Sequence, residues 1–127
     1  VSIHSALNER TKGMIGKEHF DLLQDGAVFL NTARGAIIRE DEMIGALREN
    51  RFMAVLDVYC KEPLEQDSPL RQLKNVYCIP HQGGPTGDRT PVITMRLADD
   101  MLRFAAGEKL RYEIGKEYAK RMTKQRS

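Results

Sequence analysis

The chain has 127 residues, enough for one domain with its own core. Hydrophobic residues make up 41% and charged residues 30% of the chain, which is ordinary for a soluble globular domain. The net charge of +2 is too small to indicate a nucleic-acid partner, and the longest apolar runs are too short to span a bilayer. Because no secretory leader is visible either, we expect a cytoplasmic protein that binds neither nucleic acid nor membranes.

The apolar pattern predicts strands that alternate with helices. The predicted strands are 1–4, 27–31, 52–58 and 76–79, and the predicted helices are 17–23, 41–50 and 90–106. The second and third strands are continuous apolar runs, as expected of strands covered on both faces, and we expect the fourth to be buried as well. Such alternation predicts an α/β fold in which helices cover both faces of a parallel sheet. Four strands match the second half of a doubly wound, Rossmann-type nucleotide-binding domain.

The ends of the chain carry two further expectations. The chain begins with Val1 rather than Met, inside an apparently buried strand, so we expect it to be part of a longer chain cut within an α/β domain. Positive charge is concentrated in residues 115–127, at Lys116, Lys120, Arg121, Lys124 and Arg126. We expect this basic tail to be a solvated, partly frayed helix or a disordered end, and a phosphate-binding patch is the alternative.

Three polar residues each follow a different predicted strand: Arg34, Glu62 and His81. In a parallel sheet the carboxyl ends of the strands share one rim, where ligands bind. A guanidinium can hold a carboxylate by two hydrogen bonds, although a surface ion pair is the alternative for Arg34. An imidazole can exchange a proton with a carbonyl or alcohol, and a neighbouring carboxylate favours the protonated ring. The alternative for Glu62 is a solvated loop carboxylate.

Other features near these strand ends have more than one interpretation. Asp57 ends an apolar strand and needs a partner, which is either a cationic or amide-bearing ligand or a cap on backbone amides. Gly83 and Gly84 follow a strand, but their spacing matches no phosphate-binding motif, so close backbone approach is favoured. Cys60 and Cys78 form no CxxC pair, and we expect reduced core thiols and no metal site.

Five segments, in this order and spacing, resemble the D-isomer-specific 2-hydroxyacid dehydrogenases. They are residues 1–4, 11–16, 29–35, 56–64 and 80–84, and the resemblance runs to about Ile114. It implies that residues 1–114 are the C-terminal part of an NAD-binding and catalytic domain. One departure is Ala6, where the family usually has a proline.

The resemblance also implies a role for individual residues. Arg34 would bind the carboxylate and carbonyl of the substrate, His81 would be the general acid/base, and Glu62 would hold and tune His81. Asp57 would face the nicotinamide ring. The implied cofactor-binding residues are Ser5, Thr32, Ala33, Arg34, Asp57, His81, Gly83 and Gly84.

The function implied by the resemblance is hydride transfer between a nicotinamide cofactor and a small 2-hydroxy or 2-oxo acid. The cofactor would be NAD, with NADP possible, because the residues that choose between them lie outside this sequence. The parent protein would be a homodimer, and the 127 residues alone would be inactive. The alternative within the same superfamily is an NAD(H)-sensing, corepressor-like binding protein.

Overall fold

The computed structural model of the chain describes residues 1–85 and 87–122. The strands are β1 (Ser2–Ile3), β2 (Val28–Asn31), β3 (Met53–Leu56) and β4 (Val76–Cys78). The α-helices are α1 (Lys17–Phe20), α2 (Glu40–Arg48), α3 (Thr90–Ala105) and α4 (Lys116–Ala119), and 3₁₀ helices span Gly35–Ile37 and Pro69–Gln72. The chain divides into two compact units, Val1–Gly83 together with Met122, and Gly84–Arg121.

The first unit contains one four-stranded sheet with the order β1-β2-β3-β4. Every neighbouring pair of strands is parallel, with Leu30 beside Val55 and Leu56 beside Cys78. The predicted parallel α/β fold is therefore confirmed. Because the strands are parallel and adjacent, the loops that follow β2, β3 and β4 leave the sheet at one rim.

One face of this sheet carries the core. Phe29 of β2 and Ala54 and Leu56 of β3 are buried in one cluster with the apolar side of α2. Met43, Ile44 and Leu47 of α2 all lie in that cluster. Phe20 of α1 joins it through aromatic rings, with centroids 5.3 Å from Phe29 and 5.7 Å from Phe52.

The strands are covered less completely than their apolar runs suggested. Val28 and Met53, on the opposite side from the core residues, are exposed, while Leu30 and Val55 are half-buried. The expectation that β4 is buried is wrong, because β4 is an edge strand and its Tyr77 is 57% exposed. Val1, expected in a buried strand, is exposed as well. The strands are therefore less buried than their apolar composition predicted.

The two cysteines also differ from the expectation of core thiols. Both Cys60 and Cys78 are unpaired and exposed. Cys60 follows β3 in a loop, and Cys78 lies on the edge strand, so neither position is enclosed. Partial desolvation nevertheless raises the pKa of the Cys60 thiol to about 11, with the nearby Glu40 carboxylate adding to the effect.

The second unit consists mainly of α3, whose predicted extent is confirmed to within a residue. Gly107 lies just beyond the end of α3 with a φ of 71°, and its N–H donates to the carbonyl of Phe104, as expected of a glycine that ends a helix. The apolar stripe of α3 is exposed at Leu97 and Met101. Within the predicted basic tail, Lys116–Ala119 form α4, and Lys124 and Arg126 lie outside the described residues. No described helix is long and apolar enough to cross a membrane.

Gly35 shows how closely the loops after β2 and β3 approach each other. A Cβ atom at this position would lie 2.0 Å from the carbonyl carbon of Tyr59. Gly45, inside α2, provides a matched comparison, because a Cβ there would meet nothing within 4 Å.

We predict that Gly35→Ala lowers the free energy of unfolding by about 1–3 kcal/mol, because the backbone of Tyr59 must move to admit the methyl group. Gly45→Ala should instead raise it by up to roughly 1 kcal/mol, because alanine is the better helix former. Urea denaturation of both variants measures the difference. Equal effects of the two substitutions would show that the loops do not meet as closely as described.

Candidate functional site

The loop that follows β2 is held by the last residue of that strand. Asn31 is fully buried. Its side-chain oxygen accepts the N–H of Ala33 at 3.0 Å, and its side-chain nitrogen donates to the carbonyl of Arg34 at 3.1 Å. The segment Thr32–Arg34 is therefore folded over the end of its own strand by a buried amide, whose polar atoms need such partners.

Arg34 is exposed at the rim of the sheet, where its Nη1 donates to the carbonyl of Ala33 at 2.6 Å. The guanidinium has further N–H donors with which it can hold a carboxylate. Arg34 borders a groove of about 270 Å³ whose other lining residues are Ile3, His4, Ser5, Ala6, Thr32 and Ala33. The structure thus brings four of the sequence-predicted residues, Ser5, Thr32, Ala33 and Arg34, to one groove.

Glu62 and His81 form a hydrogen-bonded pair. The Glu62 Oε2 atom lies 2.6 Å from Nδ1 of His81, and Oε1 accepts the backbone N–H of Tyr59 at 3.0 Å. An ionised carboxylate can only accept, so Nδ1 is the donor and Nε2 remains for proton exchange with a ligand. The His81 side chain is 46% exposed, which leaves the ring accessible. The pair can therefore give or take a proton at the sheet rim.

The backbone of His81 is in the left-handed region, with a φ of 51°. Residues other than glycine adopt this conformation infrequently, and surrounding contacts must hold them there. The N–H of His81 donates to the carbonyl of Ile79 at 3.0 Å. The two following amides are fixed by Asp57, whose carboxylate oxygens accept Gln82 N–H at 2.6 Å and Gly83 N–H at 2.7 Å.

Asp57 thus takes the second of the two interpretations left open from the sequence, a cap on backbone amides. The side chain is 2% exposed, and its burial is compensated by those two charge-assisted hydrogen bonds. Gly83 is needed for this close approach, since a Cβ there would lie 2.7 Å from Asp57 Oδ2. The implied contact of Asp57 with a nicotinamide ring stays a prediction.

A second cavity, of about 530 Å³, is bordered by Glu62 and His81. Tyr59 and Arg71 line it as well, and its apolar wall includes Leu64, Ile79 and Pro80. Apolar surroundings strengthen the hydrogen bonds of a polar pair because they lower the local dielectric constant. Gly84 begins the second compact unit, and its implied cofactor contact stays a prediction. Among residues 1–85 and 87–122, no three His, Cys, Asp or Glu side chains are grouped so as to hold a metal ion.

Two residues that position the site were missed by the sequence analysis. Asn31 ends an apolar strand just as Asp57 does, so the same signal, a polar residue within a buried run, could have identified it. Tyr59 is the other, and nothing in the pattern distinguished it from an ordinary aromatic core residue. Burial raises the pKa of the Tyr59 hydroxyl far above its ordinary range, so the group is a neutral donor.

Comparisons with known proteins agree with this geometry. The family model described as "D-isomer specific 2-hydroxyacid dehydrogenase, NAD binding domain" matches residues 1–83. A D-3-phosphoglycerate dehydrogenase of Archaeoglobus fulgidus is 35% identical over 90% of this chain and 22% of its own length. A glyoxylate reductase of Aeropyrum pernix is 36% identical over 85% of this chain and 32% of its own.

A solved structure is similar as well. It is a D-isomer specific 2-hydroxyacid dehydrogenase of Xanthobacter autotrophicus Py2 in complex with NADPH and MES, and it superposes with a TM-score of 0.77 at 33% sequence identity. The match covers 91% of this chain and 47% of that one. The chain therefore spans less than half the length of each of these three proteins.

We predict that Asp57→Asn releases part of the loop that carries His81. An asparagine amide can accept only one of the two N–H groups, and its own NH₂ group faces the other donor. Loss of one charge-assisted hydrogen bond, about 1.5–3 kcal/mol, should speed amide hydrogen exchange at Gln82 or Gly83 roughly ten- to hundredfold, as measured by NMR. The control is Asp67→Asn, at an exposed loop position. Unchanged exchange in Asp57→Asn would contradict the assigned cap.

Proposed function

The chain belongs to the D-isomer specific 2-hydroxyacid dehydrogenase family, and from this premise we propose that the natural polypeptide containing residues 1–127 interconverts a 2-hydroxy acid and a 2-oxo acid with a nicotinamide cofactor. The observation that carries the proposal is the hydrogen bond of 2.6 Å between Glu62 and His81 at the carboxyl rim of a parallel sheet. That pair can exchange a proton with a ligand, and it lies at the edge where such sheets bind ligands.

In the proposed reaction His81 exchanges the proton of the substrate oxygen. With Nδ1 bound to Glu62, the ring offers Nε2, which gives a proton to the carbonyl oxygen during reduction and takes one from the hydroxyl group during oxidation. Glu62 fixes the orientation of the ring and selects the tautomer with a proton on Nδ1. Because Glu62 is itself tied to the N–H of Tyr59, the carboxylate cannot rotate away freely.

Arg34 has the chemistry to bind the other end of the substrate. Its planar guanidinium can hold a carboxylate through two parallel hydrogen bonds, which fixes the orientation of the attached carbonyl. The side chain is exposed on the loop after β2, and that loop is anchored by Asn31. A rigid anchor beneath a charged side chain reduces the cost of ordering it when the substrate binds.

The residues around Arg34 fit a nicotinamide ring. A cavity of about 150 Å³ is enough to hold benzene, and the groove bordered by Ser5, Thr32 and Ala33 measures about 270 Å³. Hydroxyl and backbone groups at this groove can hydrogen-bond a carboxamide. The cofactor, when bound, supplies or accepts the hydride. The family is described as NAD-binding, and its Xanthobacter member was solved with NADPH, so either dinucleotide is a candidate.

Relatives named phosphoglycerate dehydrogenase and glyoxylate reductase support a small 2-hydroxy or 2-oxo acid as the substrate class. A homodimer in the cytoplasm completes the proposal, and it rests on the family resemblance alone. Light scattering of the purified natural polypeptide tests the dimer.

The function is tested by measuring NADH and NADPH oxidation against glyoxylate, hydroxypyruvate, pyruvate and phosphohydroxypyruvate. We expect turnover of at least one of them by the natural polypeptide. Tight NADH binding without turnover of any 2-oxo acid would contradict the enzyme and favour a cofactor-sensing protein instead.

We predict that His81→Ala lowers kcat by about 10²–10⁴-fold, because the proton donor is lost, and changes cofactor affinity little. His19→Ala is the matched control, since His19 lies on α1 and not at the end of a strand. NADH affinity is measured separately by fluorescence titration. Wild-type turnover in His81→Ala would show that His81 is not the general acid/base.

A further inference from the structure

Tyr59 lies where the three loops of the site meet. Its hydroxyl contacts the ends of β3 and β4, its backbone N–H binds Glu62, and its carbonyl is against Gly35. We propose that Tyr59 is a positioning residue that aligns the Glu62 carboxylate with the His81 ring. The kinetic consequence rests on the proposed function, whereas the alignment itself does not.

The hydroxyl of Tyr59 links two neighbouring strand ends. It lies 2.9 Å from the carbonyl oxygen of Leu56, the last residue of β3, and 2.8 Å from that of Ile79, which follows β4. A phenol has one proton, so the two carbonyls share it. Tyr59 is 6% exposed, and the elevated pKa of its hydroxyl keeps the proton in place at neutral pH.

Ile79 connects this hydroxyl to His81. The carbonyl that accepts from Tyr59 also accepts the backbone N–H of His81 at 3.0 Å. That hydrogen bond fixes the peptide group between Pro80 and His81, from which His81 continues in its left-handed conformation. A shift of the Ile79 carbonyl therefore moves the backbone from which the imidazole projects.

The backbone of Tyr59 acts on the other member of the pair. Its N–H donates to Oε1 of Glu62, and this bond directs Oε2 toward Nδ1 of His81. One residue thus holds the carboxylate from its main chain and the histidine loop from its side chain. The contact with Gly35 fixes the position of Tyr59 itself, since the two backbones are too close for any larger residue at position 35.

The two hydrogen-bond contacts of the Tyr59 hydroxyl can be removed without leaving a buried carbonyl unpaired. In a Tyr59→Phe variant the Leu56 carbonyl would keep the N–H of Ile79, at 2.8 Å, and the Ile79 carbonyl would keep the N–H of His81. Phenylalanine also preserves the ring that fills the core. The variant should therefore fold, and the measured change reports on alignment rather than on general stability.

The first readout is the Nδ1 proton of His81 in the ¹H–¹⁵N spectrum of the natural polypeptide. A proton held between Nδ1 and a carboxylate resonates downfield and exchanges slowly with water, and Glu62→Gln assigns it by shifting it upfield, because an amide oxygen is a weaker acceptor than a carboxylate. We expect Tyr59→Phe to weaken or broaden this resonance. Tyr77→Phe is the control, because it deletes the same hydroxyl from an exposed tyrosine on β4. It should leave the resonance unchanged.

The second readout is turnover of the 2-oxo acid found in the substrate panel. Tyr59→Phe should lower kcat roughly tenfold at a nearly unchanged KM for the cofactor, because a small misplacement of the acid/base group acts on the transition state. Tyr77→Phe should retain wild-type kcat. If the wild type shows no turnover at all, the proposed function fails, but the resonance still decides the role of Tyr59.

An unchanged Nδ1 resonance together with an unchanged kcat in Tyr59→Phe would overturn the proposal. A measurement on the wild type covers the case of an unfolded variant, since a buried and hydrogen-bonded Tyr59 hydroxyl proton should exchange slowly and show a nuclear Overhauser effect to the His81 amide proton. The absence of that proton signal would overturn the proposal as well.

Discussion

The parallel register of β2, β3 and β4 is the constraint on which the site depends. Because β3 pairs with both β2 and β4 in the same direction, three loops start from adjacent points on one rim. Arg34, Glu62 and His81 are separated by up to 47 positions in the sequence, and the sheet brings their loops together. An antiparallel neighbour would carry one of these loops to the opposite rim. The buried face of the sheet, packed against α2, fixes the register that the loops require.

Buried polar side chains at the strand ends turn that shared rim into a defined geometry. Asn31 closes the loop after β2, Asp57 caps the loop after β4, and the hydroxyl of Tyr59 joins the ends of β3 and β4. All three are buried, and among the described residues no buried side-chain nitrogen or oxygen is left without a hydrogen-bond partner. A buried polar group without a hydrogen-bond partner is destabilising. Alternative loop conformations would break these hydrogen bonds, so they have a higher free energy. The exposed groups, Arg34 and His81, are thereby presented on a rigid frame.

Sequence patterns were sufficient to predict the parallel α/β fold and to predict that Arg34, Glu62 and His81 follow strands that end at one rim of the sheet. The apolar runs located all four strands, and their alternation with helices predicted a parallel sheet, which puts the loops of Arg34, Glu62 and His81 on one rim. The same patterns overstated burial, because an apolar run does not reveal whether a strand such as β4 lies at an edge. They also could not assign Asp57 or find Tyr59. Both roles depend on hydrogen bonds to backbone groups more than 19 positions away, which leave no periodic signal.

The central claim is that Arg34 and His81 act on one small molecule. A crystal structure of the natural polypeptide with NADH and oxamate, a 2-oxo acid analogue that is not reduced, tests it most directly. The claim predicts the oxamate carboxylate within hydrogen-bond distance of the Arg34 guanidinium and its carbonyl oxygen within hydrogen-bond distance of His81 Nε2. Oxamate bound away from both side chains, or in contact with only one of them while the cofactor is in place, would contradict it.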